Sequence, residues 1–182
     1  MFETLSYIGE KLNNSNITWA VGASVLLNQF GLIDKPNDID IFVDIKDIDK
    51  VDEILKGIGR KKKWEKTATY STKYFYEYLI DGTDVDVMAG FAINHNNGVF
   101  EYDFDDNSIS EFRTINEVNI PFASLEDWYV IYNLIPNREY KADLLEKHLL
   151  LKGIRKPNLL QKALKKSLPV ETRRKIENIL NL

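Results

Sequence analysis

The chain has 182 residues and no cysteine, with 28 acidic against 24 basic side chains and a formal net charge of −4. That length allows one ordinary core, alone or with a helical appendage, and the missing cysteine excludes disulfide scaffolds, thiolate metal sites and cysteine nucleophiles. The two histidines, His95 and His148, are too far apart in sequence to form a spacing motif, so a metal site must rest on carboxylates, whose oxygens favour magnesium or manganese over zinc.

No apolar run approaches membrane-spanning length, and the segment MFETLSYIGEKL carries acids where a signal peptide needs an apolar stretch. The expectation is a soluble, cytoplasmic protein with no membrane partner. Charge is unevenly distributed: residues 137–182 hold 12 Lys or Arg against 5 Asp or Glu, and residues 1–136 hold 12 against 23. Such a basic tail can neutralise a polyphosphate or nucleic acid, pair with the acidic body, or form solvated helix faces.

Phe2, Leu5, Ile8 and Leu12 recur at helical spacing, and Asn13 to Asn16 ends that helix. A short strand is expected at Ile17 to Val21, then a small-residue turn of Gly22, Ala23 and Ser24, then a short helix from Val25 to Phe30. Strand, turn and helix start form either an anion site or simply a place of close packing. Residues 39–43 are β-branched or aromatic except Asp40 and read as a strand. Asp38 and Asp40, two apart, then share one face. Two carboxylates held side by side repel each other unless a cation or strong donor lies between them.

Asp44 to Ile58 reads as a helix with Ile48, Val51, Ile54, Leu55 and Ile58 on one side, its aspartates 44, 47, 49 and 52 solvated or capping. The run Arg60 to Lys63 reads as a solubilising loop that could also touch phosphate. Strand-like sequence extends from about Trp64 to Ile80, with Tyr70, Tyr74, Tyr76 and Tyr78 on one parity, a face that could stack a ring or pack beneath a helix. Asp81-Gly82 signals a hairpin. The returning strand, Thr83 to Phe91, sets Val85, Val87 and Ala89 on one face and Asp84, Asp86 and Met88 on the other. A polar turn containing His95 follows, then a further strand between Val99 and Phe104. Asp103, Asp105 and Asp106 lack the glycine and glutamate of a calcium loop. Ser124 with Glu126 and Asp127 starts a helix that runs to Pro136. Helices follow at Asn137 to Lys152, with Arg138, Lys141 and Lys147 partly outward, at Asn158 to Leu168, and from Pro169 onward.

The assembled pattern is an α+β chain: a mixed β-sheet flanked by helices over residues 1–122 and a helical region over residues 123–182 that docks on it. The sequence Val21-Gly22-Ala23-Ser24, a gap of thirteen residues, then Asp38-Ile39-Asp40-Ile41 resembles the motif of the nucleotidyltransferase superfamily that includes DNA polymerase beta. The stretch from Ser124 to Leu150 is similar to the helical region of small bacterial members, including antibiotic-modifying and toxin-system enzymes. Ala23 stands where many members carry a second glycine, and Asn133 where related sequences often carry a lysine.

The resemblance implies a nucleotidyltransferase fold and the transfer of an NMP from an NTP to an acceptor hydroxyl with release of pyrophosphate. Asp38, Asp40 and a third carboxylate, Asp86 in preference to Asp84, would be the catalytic residues and would bind magnesium or manganese. Gly22, Ala23, Ser24, Arg138 and Lys141 would hold the nucleotide. The acceptor stays open between a small hydroxyl compound and a macromolecule such as tRNA or a protein in a toxin system. A non-catalytic nucleotide-binding module, and a purely capping role for the aspartate pair, are the competing readings.

Overall fold

The computed structural model describes residues 1–63 and 67–181. Strand β1 (Trp19–Val21) lies antiparallel to β2 (Ile39–Val43), with Val21 opposite Ile41. Strand β2 runs parallel to β5 (Thr83–Ala89), which sets Ile39 opposite Val85, Asp40 opposite Asp86, Ile41 opposite Val87 and Phe42 opposite Met88. Strand β4 (Tyr74–Ile80) joins β5 through Asp81 and Gly82, whose φ angles of 47° and 74° make the two-residue turn that the sequence signals. With β3 (Arg60–Lys61), β8 (Ile109–Ile115) and β9 (Val118–Ala123), the sheet has the order β3-β4-β5-β2-β1-β9-β8, and β6 (Ala92–His95) with β7 (Gly98–Glu101) forms a separate hairpin. This is the mixed sheet and α+β architecture that the sequence pattern implies.

Alternation divides the sheet into two faces. One carries Trp19, Val21, Ile41, Val87 and Tyr78, all buried, under helices α1 (Phe2–Asn13) and α3 (Ile48–Ile58). The other carries Asp40, Phe42, Asp86 and Met88 and looks toward α4 (Leu125–Tyr132). Ser124 caps α4 by accepting a hydrogen bond from the Asp127 N–H at 3.0 Å. Every residue of α4 is buried; the helix is covered on all sides, as one with an apolar circumference must be. Its Trp128 stacks on Phe42, ring centroids 5.3 Å apart. Helices α5 (Glu139–Lys152), α6 (Pro157–Leu164) and α7 (Val170–Leu180) follow, and one buried cluster runs from the sheet through α4 to Ile176 and Ile179.

Several elements differ from the sequence pattern. The β8–β9 hairpin, whose Val118, Ile120 and Phe122 alternate, is not anticipated; its turn is Asn116-Glu117, both at positive φ (46° and 67°). Arg60 and Lys61 are not a free loop: they pair with Leu79 and Tyr78 as the sheet edge. The tyrosine strand begins at Tyr74, so Tyr70 leaves the parity of Tyr74, Tyr76 and Tyr78, and Trp64 lies outside the described residues. Asp52 is no solvated acid, since Lys56, Lys61 and Tyr78 all donate to it. Lys141 points inward and is only 6% exposed, because the α5 turn that carries it packs against α4. Lysines of the basic tail pair with the body: Lys166 reaches Asp103 at 2.6 Å and Lys162 reaches Asp105 at 3.3 Å.

Between β1 and α2 (Ala23–Gln29), the small-residue turn is built from two constraints. Gly22 donates its N–H to the Asp40 carbonyl at 2.9 Å, and a Cβ on it would stand 2.3 Å from Trp128 Nε1. Ala23 takes a left-handed φ of 44°, the conformation in which glycine avoids the Cβ clash that costs other residues roughly 1–2 kcal/mol.

Two outcomes are expected. Ala23→Gly should stabilise the protein by up to about 1 kcal/mol, and Gly22→Ala should destabilise it by about 1–3 kcal/mol by displacing the indole; urea melts followed by tryptophan fluorescence measure both. Partial burial works to raise the Asp52 carboxyl, but hydrogen bonds from Lys56, Lys61 and Tyr78 outweigh it and bring it to about 2. A folded value below the unfolded one gives stability that is full above about pH 4 and is lost as pH falls toward 2. Thermal melts across that window should therefore show a weaker acid dependence for Asp52→Asn than for the wild type.

Candidate active site

Parallel register is what brings the acids together. Because Asp40 faces Asp86 across β2 and β5, their side chains emerge on the same sheet face, and Asp38 stands at the entrance of β2 two residues before Asp40. All three line one cleft, with a cavity volume of about 210 Å³, whose opposite wall is α4 and the start of α5. Asp84 follows another course: it is ion-paired to Lys62 and its side chain is 56% exposed.

The electrostatics of the three acids are those of crowded like charges. Burial, then the charges of Asp38 and Asp86, pushes the Asp40 carboxyl well above the usual carboxylate range, against a lowering by Lys141. Burial, then Asp38 and Glu77, raises Asp86 to about 7. Such a set is relieved by a proton or by a cation. The donors are oxygens alone, the chemistry suited to magnesium or manganese. Among the described residues, no three acidic or histidine side chains are already gathered around one point as a metal-holding group.

Opposite the acids, the cleft is positive. Arg138 and Lys141 both line it. Burial and the neighbouring Arg138 lower the Lys141 ammonium, while Asp40 and Asp38 act to raise it. Among the described residues no carboxylate lies within ion-pair distance of Lys141. Its Nζ sits 5.1 Å from the Tyr132 ring centroid, a cation–π contact.

The turn residues are near but differently engaged. Ala23 and Ser24 line the cleft, whereas Gly22 sits behind it, its N–H bonded to Asp40 and its Cα beneath Trp128. Ser24 Oγ accepts from the Asn37 N–H at 3.2 Å and lies 3.3 Å from the Asp38 carbonyl, to which it donates. That hydroxyl fastens the loop ahead of the carboxylate strand. The histidines are elsewhere: His148 stands edge-on to Phe30 at 5.6 Å, and His95 closes β6 beside the Ser167 carbonyl.

Of the aromatic lining of the cleft, only Tyr70 belongs to the tyrosine face that the residue pattern offers for stacking a ring. Tyr70, Phe75, Phe91, Trp128 and Tyr132 all border the cleft. Tyr70 and Phe91 lie 5.8 Å apart, and Phe91 packs on Phe42 at 5.2 Å. These residues come from a loop, from β4, from α4 and from the segment after β5, so no periodicity links them all. Trp128 and Tyr132 carry a readable signal of their own, four apart on a helix that opens with a clear cap.

No protein-family model and no curated protein matches the sequence. Solved structures do. A provisionally assigned nucleotidyltransferase from Thermotoga maritima shares 28% identity over 81% of this chain and 91% of its own, with a TM-score of 0.63. The enzyme ANT(2″)-Ia, solved with adenylyl-2″-tobramycin, superposes over 97% of both chains with a TM-score of 0.59 at 13% identity. The lincosamide antibiotic adenylyltransferase LnuA, solved with lincomycin, covers 79% of this chain and 95% of its own, with a TM-score of 0.53 at 18% identity. In its carboxylate strand, mixed sheet and helical wall, the chain shares the nucleotidyltransferase fold of these structures.

Proposed function

We propose that this protein is a metal-dependent nucleotidyltransferase that moves an NMP from an NTP to an acceptor hydroxyl and releases pyrophosphate. One observation carries the reading: Asp40 and Asp86 stand in register on parallel strands, with Asp38 two residues upstream, in a cleft whose facing wall presents Lys141 and Arg138. Carboxylates on one side and cations on the other suit a ligand that is itself a polyanion carried with a cation.

In this reading Asp38, Asp40 and Asp86 hold magnesium or manganese. When bound, the metal supplies charge neutralisation at the entering and leaving oxygens. Lys141 and Arg138 draw the triphosphate to the wall opposite the acids and hold its negative charge. Asp86 takes the proton of the acceptor hydroxyl. The acceptor oxygen forms a bond to the α-phosphorus as the bond from that phosphorus to the oxygen of the β-phosphate breaks, and pyrophosphate leaves with the electron pair. Ser24 keeps Asp38 in place through the loop contact described above. The ANT(2″)-Ia and LnuA structures contain small hydroxyl-bearing antibiotics, and the engagement of Lys162 and Lys166 with Asp105 and Asp103 leaves less of the basic tail available to a nucleic acid. A small hydroxyl compound is therefore the favoured acceptor class.

Asp40→Asn tests the proposal. The variant should lose more than about a hundredfold in nucleotidyl transfer, measured with labelled NTP and magnesium over a panel of hydroxyl compounds, tRNA and protein. Its melting temperature without metal should equal or exceed that of the wild type, because one of the repelling charges is gone. Full activity in this variant would sink the assignment.

A further inference from the structure

The large sheet has two edges, and they differ in how they are protected. Strand β3 is only Arg60 and Lys61, with Lys62 after it; a short strand carrying lysines is a common defence of an open edge. Strand β8, at the other end, runs Ile-Ser-Glu-Phe-Arg-Thr-Ile from Ile109 to Ile115. It has no lysine, proline or glycine and its two charges cancel, a composition that favours pairing with a further strand. In its middle stands Phe112, 59% exposed.

The ladder shows which backbone groups of β8 are open. The two-residue turn Asn116-Glu117 joins β8 to β9, so Ile115 and Val118 on either side of it exchange both hydrogen bonds. Alternation then turns the N–H and C=O of Arg113 toward β9 and those of Phe112 and Thr114 away from the sheet. Pro121 opposite Phe112 agrees with this, having no N–H to give. Among the described residues no hydrogen bond from a side chain or another segment reaches the Phe112 or Thr114 backbone. At the far end Lys156 donates to the Ile109 carbonyl at 2.6 Å and a bulge separates Ile109 from Glu111, so the open edge lies between Glu111 and Ile115.

Charge selects the occupant. Glu111 and Arg113 share the sheet face opposite to Phe112. Arg113 Nε donates to Glu111, and Arg155 approaches Glu111 at 3.5 Å. Arg113 also donates to the Gln29 carbonyl and lies over the Phe30 ring at 4.6 Å, which fixes its place. When two copies of β8 lie antiparallel about a two-fold axis at Phe112, Glu111 of each copy stands opposite Arg113 of the other. These are the non-hydrogen-bonded positions, where side chains come closest. The two Phe112 residues exchange backbone hydrogen bonds, and their rings cover each other on the opposite face. A pairing centred on Glu111 or Arg113 sets like charges face to face, and one centred on Thr114 puts Arg113 against Ile115.

We propose that β8 is the interface of a homodimer, a two-fold edge-to-edge pairing centred on Phe112 that joins two sheets into one. Strands β9 and β1 separate β8 from the carboxylate strand, so both clefts stay open and the proposal stands independently of the transferase reading. A single strand seam buries an area at the small end of specific interfaces, which suits a dissociation constant in about the micromolar range.

Sedimentation velocity over roughly 1–300 µM, a range that brackets such a constant, should take the wild type from the monomer mass of 21.1 kDa to twice that value. Phe112→Lys and Thr114→Pro change an exposed side chain and an outward N–H; both should melt near the wild type and stay monomeric. Glu111→Arg and Arg113→Glu should each be monomeric alone and dimerise when mixed, because a strand with two arginines then faces one with two glutamates. A wild type that stays monomeric leaves the edge to another protein and overturns the proposal. A dimer that survives both Phe112→Lys and Thr114→Pro, or an assembly that grows beyond two copies, overturns it as well. Folded charge variants that fail to pair when mixed overturn the two-fold register and the proposal with it. Should a charge variant not fold, since Arg113 also holds Gln29 and Phe30, Phe112→Lys and Thr114→Pro decide.

Discussion

The pairing of β2 with β5 is the constraint on which the rest of the molecule depends. It holds two like charges side by side, an arrangement that would come apart if nothing opposed it. Burial first, then the charges of Asp38 and Glu77, raises the Asp86 carboxyl from 3.8 to about 7, which corresponds to about 4 kcal/mol of cost for its charged form at neutral pH. On the reverse face of the same two strands, Ile39, Ile41, Val85 and Val87 are fully buried, and each such side chain contributes roughly 1.5–3 kcal/mol. Aliphatic burial wins, and the acids are carried with it. A slip of one residue would turn these aliphatics outward and drive Asp40 into the core, so the packing beneath the sheet fixes the chemistry above it.

Helix α4 plays the complementary part. Trp128 stacks on Phe42, the residue that follows Asp40 on the same strand face, so the wall of the cleft is registered directly to the carboxylate strand. Gly22 admits the indole, and its N–H ties the turn to the Asp40 carbonyl. Strand, turn and helix are thereby one rigid unit in which the aromatic face of α4, two cations and three acids border the same space. Rigidity of this kind is what a transfer reaction needs, because positioning supplies much of the rate.

Local signals in the sequence were strong where one element suffices. The run Ile39 to Val43, the Asp81-Gly82 turn, the Ser124 cap and the amphipathic pattern of α3 each depend on neighbouring residues only, and each is found in the fold. Signals failed where partners decide. Arg60 and Lys61 become an edge strand because β4 offers them a ladder, and Asp52 becomes a network centre because Tyr78 and Lys61 arrive from other elements. The β8–β9 hairpin is not legible in the sequence because its outer strand alternates weakly, as an exposed edge strand does, and its turn uses Asn-Glu where Asn-Gly is the usual cue.

The candidate site divides along the same line. That Asp38 and Asp40 share a face, and that valines and acids alternate on the strand from Thr83, can be read from the residues alone, because side-chain alternation follows from backbone geometry. Tertiary packing settles that Asp86 lies opposite Asp40 while Asp84 is drawn off by Lys62, that Lys141 turns inward, and that Trp128 and Tyr132 border the cleft. Those outcomes depend on which strand pairs with which and on how a helix is rotated against a sheet. Such choices are made by the fit of whole surfaces, and no single stretch of chain contains them.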